Sequence, residues 1–474
     1  MTTPVGIVRR RRPAIAVIAV AALASLTQPA RAWEPETTHA GLTEAAALGS
    51  GLALLFEELL GLELGWYETL ALPPGVAPEI DGALRHLPTT EGYVPDALGR
   101  QAALGWLVAG SVIEDLPAGQ SRRHFHDPVH GVGLTGATAS GPSLFERLAG
   151  APARPHGGPA ADWVIAAENP LGLHCFLDRL AASTTDAAPA RRQQELARAL
   201  VCAGAMLHVL EDVGSPSRAR DDLRAHLEPL GGGAADQGSR FERLAAALHG
   251  RLGIAPATRL LSRTRLRDHF TAADGLGLAD HTSARYFSLG TLPAPLELSR
   301  RDSALTVVDR LRTASRFPLP ASFALDLVAA ARAEGAVLRD ADGVCLAHYR
   351  LARRRLNFSL PPDCATEQLA AILPDVANRA AGFLAYLFRG RLKLSASGQV
   401  TVDGVALGAG TLTLLAEDAA GTRRVVGQPA AVAGGAAGAV LHDFANAERA
   451  VERVAIFRGV DAAGEALVAL GRSD

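Results

Sequence analysis

His208 and Asp212 stand four residues apart in Leu207-His208-Val209-Leu210-Glu211-Asp212. A helix places such a pair on one face. Leu196, Leu200, Ala203, Leu207 and Leu210 recur at helical spacing and mark the longest clear helix of the chain. Spacing alone is equally compatible with a satisfied structural His–Asp pair. A second cluster changes the balance. His124-Phe125-His126-Asp127-Pro128 follows Glu114-Asp115, an acidic pair that ends an apolar helix over residues 101–113. Zinc takes nitrogen and oxygen ligands in tetrahedral sets, and Asp115, His124, His208 and Asp212 make one. A surface histidine loop would not explain why the acidic pair sits so near the histidines. No C-x-x-C motif occurs, so a cysteine zinc site is not supported.

The elements that must position these residues are mainly helical. From Trp33 to about Gly390 apolar residues keep helical spacing, as in Leu52, Phe56, Leu59 and Leu60, and this larger part reads as all-α. Residues 152–159 and 231–233 look like surface loops from their proline and glycine. After Arg391 the period changes to two. Leu392, Leu394, Val400 and Val402 alternate around Ser397-Gly398, and Asp403-Gly404 signals a turn. Short runs at 411–415, 424–426 and 454–457 follow. The predicted class is therefore mainly α: a helical domain over 33–390, then a small β-sandwich over 391–474.

The first residues read as a secretory signal. Arg9, Arg10, Arg11 and Arg12 form a positive stretch, residues 14–26 an apolar run too short for an anchor, and Ala30-Arg31-Ala32 a cleavage site. Removal of residues 1–32 predicts an exported chain beginning at Trp33, periplasmic or extracellular. Five arginines and no acids leave with it, so the net charge falls from −2 to about −7, which argues against general binding of a phosphate backbone. Export permits disulfides. Cys345 and Cys364 are the better pair, whereas Cys175 and Cys202, both in apolar helical stretches, are left open between a disulfide and buried thiols.

In order along the chain come Trp33, His39, Glu114-Asp115, His124-Phe125-His126-Asp127-Pro128, and His208 to Asp212 followed by Val213-Gly214-Ser215-Pro216. Later segments are Tyr286-Phe287-Ser288 and Gly382-Phe383-Leu384-Ala385-Tyr386-Leu387-Phe388-Arg389-Gly390. This succession resembles the zinc-dependent phospholipase C and single-strand nuclease superfamily, over Trp33 to about Arg391. The resemblance implies a helical zinc phosphodiesterase in which metal-bound hydroxide attacks a phospholipid or other phosphodiester. One zinc would be held by Asp115, His124, His208 and Asp212. A second would be held by the amine and carbonyl of Trp33, by His39, and by Asp212 as the bridge. Asp115 would act as general base or hydroxide orienter. His126 stands where the family has tyrosine and is read as a neighbour.

The chain departs from the family at a third zinc. The family has histidine two residues after the proline and again in a later His-x-x-x-Glu, whereas this chain has Arg218 and Gly238, with only Glu242 retained. Arginine does not give up its proton to bind a metal, so about two zinc ions are expected and Arg218 is read as a fixed positive charge for the phosphate, paired with Glu242. His226 and His249 are near enough in sequence to replace the lost ligands, but neither has the family spacing; the remaining histidines read as structural or solvent-facing. The β-module is open to either peripheral membrane contact or a structural role, and no protein partner is indicated. Two competing readings remain: a single-strand nuclease, disfavoured by the acidic chain and by few aromatics, and a non-catalytic exported binding protein with a degraded metal site.

Overall fold

The computed structural model describes residues 35–77, 80, 95–115, 120–135, 157–223, 225, 240–444 and 452–473. The signal segment, Trp33, His226 and Gly238 lie outside the described residues. Seven helices frame the candidate site and its surroundings: α1 Ala40–Gly49, α2 Ala103–Ile113, α3 Leu173–Thr185, α4 Pro189–Asp212, α5 Pro216–Ala219, α6 Arg240–Leu252 and α7 Pro362–Leu387. α4 starts with Pro189 in its first turn, where the missing N–H costs nothing. Its second half is buried almost all round, because α2, α3 and α7 pack against it. α2 is buried at all eleven positions. Among the described residues no helix is long and apolar enough to cross a membrane.

α2 and α4 cross closely at two glycines. A Cβ at Gly204 would fall on the carbonyl oxygen of Leu107, and one at Gly110 on that of Val201. That approach holds Asp115, two residues beyond α2, against His208 on α4. Gly204→Val should push the helices apart and cost about 1–3 kcal/mol. A denaturant midpoint equal to wild type would contradict this account of the crossing.

The C-terminal part is the expected small β-sandwich. Its strands are β7 Gly390–Leu394, β8 Gln399–Val402, β9 Leu407–Glu417, β10 Arg423–Val432, β11 Val440–Asp443, β12 Glu452–Asp461 and β13 Ala466–Arg472, in the spatial order β10-β9-β12-β13-β7-β8-β11. Alternation sorts their side chains. Ala455 and Phe457 of β12, with Leu467 and Ala469 of β13, fill the core of the sandwich itself. Val454, Ile456, Val468 and Leu470 point the other way, into the core of the helical part. The middle strands are thus buried on both faces, and the sandwich is packed onto the helices rather than tethered to them.

The all-α reading of the larger part is corrected by two sheets. Thr69–Ala71 (β1) pairs with Arg100–Ala102 (β2). A four-stranded antiparallel sheet joins β3 Leu296–Glu297, β6 Arg355–Ser359, β5 Cys345–Ala352 and β4 Ala336–Arg339 in that order. β5 turns into β6 through Arg353 and Arg354 at φ 48° and 63°. Both cysteine pairs are disulfides: Cys175–Cys202 joins α3 to α4, and Cys345–Cys364 joins β5 to α7. The question left open for Cys175 and Cys202 is therefore settled in favour of a bond.

His269 shows how dry this core is. Its ring packs edge-on against Phe383 and Tyr386, and burial, with the charges of Arg263 and Arg389, lowers its pKa to about 3. Unfolded, it would titrate near 6.5. Between these values the unfolded chain binds a proton that the folded chain refuses, so stability falls as pH drops below about 6.5. The contribution is up to about 1.4 kcal/mol per pH unit. In chelator-treated protein, His269→Phe should flatten the acid limb of a stability–pH curve. An unchanged slope would show that this histidine is not held neutral.

Candidate metal centre

Four elements bring the candidate ligands together. His39 leads into α1, Asp115 follows α2, His124 follows the short turn Gln120–Arg123, and His208 with Asp212 ends α4. All five side chains are buried, at 1% exposure or less. Asp212 is central. Its Oδ1 lies 3.3 Å from His39 Nε2, and its Oδ2 lies 2.7 Å from His124 Nδ1 and 3.5 Å from His208 Nε2. Asp115 Oδ2 is 3.5 Å from His208 Nε2, and its Oδ1 is 3.5 Å from His124 Nδ1. The rings of His39 and His208 stack at 3.7 Å.

The spacing decides between a hydrogen-bonded core cluster and a metal centre. Gaps of 3.5 Å are longer than ordinary hydrogen bonds of 2.7–3.2 Å. They match the edge of a tetrahedron built on zinc–ligand bonds of about 2.0–2.1 Å, which is about 3.3–3.4 Å. Two sets gather one ligand atom per residue, His39–His208–Asp212 and Asp115–His124–His208, with the atoms of each within 4.8 Å of one another. His39 Nε2, His124 Nε2, His208 Nε2, Asp212 Oδ1 and both oxygens of Asp115 are buried without a hydrogen-bond partner. Each such orphan costs about 1–3 kcal/mol if nothing satisfies it, and a cation among them would satisfy most at once. The donor set, imidazole and carboxylate, suits zinc.

The charged groups of the cluster act strongly on one another. Burial would raise the pKa of Asp115 and Asp212, but neighbouring positive charge overrides it. His208 and His124 hold the Asp115 carboxyl below its usual range; Arg218, His208 and His124 do the same for Asp212. Burial would lower His208 and His124, yet Asp115 and Asp212 raise His208 well above its usual value, and Asp212 and Glu114 raise His124. The carboxylates in this dry site require positive charge beside them, which a bound cation also supplies.

The remaining partners fix the orientation of the ligands. His208 Nδ1 donates to the Ser111 carbonyl at 2.6 Å, in the last turn of α2 where carbonyls lack helical partners. His39 Nδ1 meets Glu211 Oε2 at 2.7 Å, and Thr43 Oγ1 donates to Glu211 Oε1 at 2.9 Å. Trp163 Nε1 donates to Glu114 Oε1 at 3.1 Å, and that oxygen lies 3.6 Å from His124 Nε2. Sequence reasoning assigned no role to Glu211, Thr43, Ser111 or Trp163. The available signal was Glu211 itself, an acid on an apolar helix beside Asp212. Such outer partners typically tune metal affinity by about 10–100-fold. Glu211→Ala should weaken zinc binding by about that factor, read by competition with a chromophoric chelator. Unchanged affinity would make Glu211 a packing residue only.

Arg218 lies against the cluster, fully buried. Its Nη2 is 3.7 Å from Asp212 Oδ2, its Nη1 donates to the Ser121 carbonyl, and its guanidinium lies over the ring of Phe125 at 4.7 Å. Glu242 accepts from Ser215 Oγ at 2.6 Å and Ser217 Oγ at 3.1 Å. His126 stacks on Phe270, and burial lowers its pKa to about 4. Asp127 shapes the following turn, accepting from the N–H groups of Val129 and His130. His249 lies beside Gly41 on α1 and belongs to neither ligand set.

No family model matches the chain, and no curated protein matches it. Solved structures that match include the alpha-toxin of Clostridium perfringens from avian strain SWCP, 10% identical with a TM-score of 0.29. Another is the alpha toxin of Clostridium absonum, 10% identical with a TM-score of 0.28. Each match covers 90% of this chain and 88% of the other. At such scores the likenesses carry no weight for what this chain does.

Proposed function

We propose that the chain is an exported zinc-dependent phosphodiesterase that hydrolyses a phospholipid or a related phosphodiester. The observation that carries the reading is the convergence of buried, unpartnered imidazole and carboxylate atoms within 4.8 Å of one another. Zinc bound there would act as a Lewis acid, activating water near neutral pH and offsetting the charge of a phosphodiester. Asp212 turns one oxygen toward His39 and the other toward His124 and His208, the disposition a bridging ligand needs. Asp115, with neither oxygen hydrogen-bonded, would take a proton from water or orient it. Arg218 keeps a fixed positive charge against Asp212. The α-amine of Trp33, once exposed by processing, would complete the set around His39. Elemental analysis of the processed protein should find about two zinc ions per chain, as a two-metal site requires. None would sink the reading.

One observation favours a second reading, a metal-holding protein without turnover. The five candidate ligands are at most 1% exposed, so a phosphodiester reaches them only if the chain opens. Zinc uptake with no hydrolysis of any phosphodiester would select this alternative.

A further inference from the structure

The turn between β5 and β6 is built from residues that do not suit it. Ala352 pairs with Arg355, so the loop between them has two residues, Arg353 and Arg354, and both take left-handed backbone at φ 48° and 63°. Asparagine and glycine fill such a turn with least strain. Other residues keep that backbone where contacts hold it, and such positions gather where a chain meets a ligand or partner. Arg354 has such contacts: its Nε and Nη2 donate to the Leu298 carbonyl at 2.9 and 2.6 Å. Arg353 has none. It is exposed, and its guanidinium has no hydrogen bond or ion pair to a described residue.

A second pair of arginines reaches the same end of the sheet. β3 runs beside β6 with Leu296 opposite Leu356 and Glu297 opposite Arg355, and the Leu298 N–H donates to the Arg354 carbonyl at 2.8 Å. The chain therefore leaves the sheet at the turn, as Ser299-Arg300-Arg301. Arg300 and Arg301 are exposed, and their guanidinium groups likewise have no described partner. The acids nearby are matched by other arginines. Asp302 pairs with Arg310 at 2.9 Å, and Glu297 stands opposite Arg355. Three cations are left over on two adjoining connections. Cys345–Cys364 ties β5, and with it the hairpin, to α7, so these charges sit on a fixed support.

Like charges gathered on one surface repel one another unless something negative lies against them. Arg300, Arg301 and Arg353 line neither described cavity. On an outer surface they suit a partner that presents many anions at once. A nucleic-acid strand would want exposed aromatic rings for its bases, and neither 299–303 nor 352–355 contains one. An anionic lipid surface asks only for basic side chains, each adding its own share.

We propose that this arginine turn docks the chain on an anionic phospholipid surface, with Arg300, Arg301 and Arg353 against the headgroups. The contact is made by the four-stranded sheet and not by the β-sandwich. The choice of lipid as partner rests on the reading of the chain as an enzyme that cleaves phospholipid.

Co-sedimentation with vesicles tests it. The vesicles are phosphatidylcholine with or without phosphatidic acid, whose phosphate monoester the proposed activity does not cleave. Zinc-loaded wild type should pellet with the anionic vesicles at low salt, stay in solution with the neutral ones, and release as salt screens the contact. Each arginine near such a surface is worth about fivefold in affinity, so Arg300→Ala, Arg301→Ala and Arg353→Asn together should weaken binding by about 100-fold. Asparagine tolerates left-handed backbone, so the triple variant should match or exceed the wild-type denaturant midpoint. It should also hydrolyse a soluble short-chain phosphodiester at the wild-type rate. Equal pelleting of wild type and variant, or of wild type with neutral and anionic vesicles, would overturn the proposal. So would binding of a DNA duplex with none to the vesicles, which would make nucleic acid the partner. Binding to anionic vesicles without hydrolysis of the soluble compound would keep the docking turn and remove the enzyme reading. Hydrolysis without vesicle binding would do the reverse.

Discussion

Asp212→Ala is expected to leave the chain without bound zinc and to lower phosphodiester hydrolysis at least about 1,000-fold. Every part of the centre meets at this carboxylate. It lies within 3.7 Å of His39, His124, His208 and Arg218. Removal takes the carboxylate from the His39–His208–Asp212 set, deprives His124 of its partner, and leaves Arg218 buried beside an empty space. An uncompensated buried charge costs about 3–5 kcal/mol, so the variant should also unfold earlier. Asp212→Asn separates the two effects. It keeps the shape, offers a weaker neutral ligand, and should fold better than the alanine variant while still losing most of its zinc. Full zinc content in either variant by elemental analysis would contradict the assignment of Asp212.

One extra residue before Trp33 is expected to remove one of the two zinc ions and most of the activity. A free α-amine has a pKa of about 8 and binds zinc near neutral pH. The same nitrogen in a peptide bond has no lone pair to offer. On the proposed reading, an uncleaved precursor would therefore be inactive until processed, which would protect the producing cell. Protein carrying the extra residue should recover both zinc and turnover when trimmed back to Trp33. Equal zinc content and equal rates before and after trimming would mean that the N-terminus is not part of the centre.

The parts of this molecule written in local periodicity were legible in its sequence. Four-residue spacing put His208 and Asp212 on one helical face, and α4 presents them so. Alternation at Leu392, Leu394, Val400 and Val402 marked the hairpin of β7 and β8, whose turn contains Gly398 at φ 98°. Asp342-Gly343 did signal the turn between β4 and β5, with Gly343 at φ 83°, and was passed over; the β5–β6 hairpin escaped because its tight turn lacks the usual residues. Arg353 and Arg354 adopt left-handed backbone where asparagine and glycine are favoured, so nothing at that position announced a hairpin. Long-range pairings left no local mark either. Glu211 and His39 are 172 residues apart, and neither segment identifies the other as its partner. Cys175 and Cys202 both lie on apolar helices, where a thiol and a disulfide look alike until the helices are packed. The role of Gly110 and Gly204 likewise becomes visible only when α2 meets α4.

The central claim is that zinc at the His–Asp cluster makes this chain a phosphodiesterase. The most direct test is to titrate zinc into the chelator-stripped, correctly processed protein while following hydrolysis of a generic phosphodiester. The account predicts no turnover at the start, a rise with added zinc, and a plateau at about two equivalents per chain, the loading of a two-metal site. Zinc uptake to that loading with no turnover at any point would contradict it.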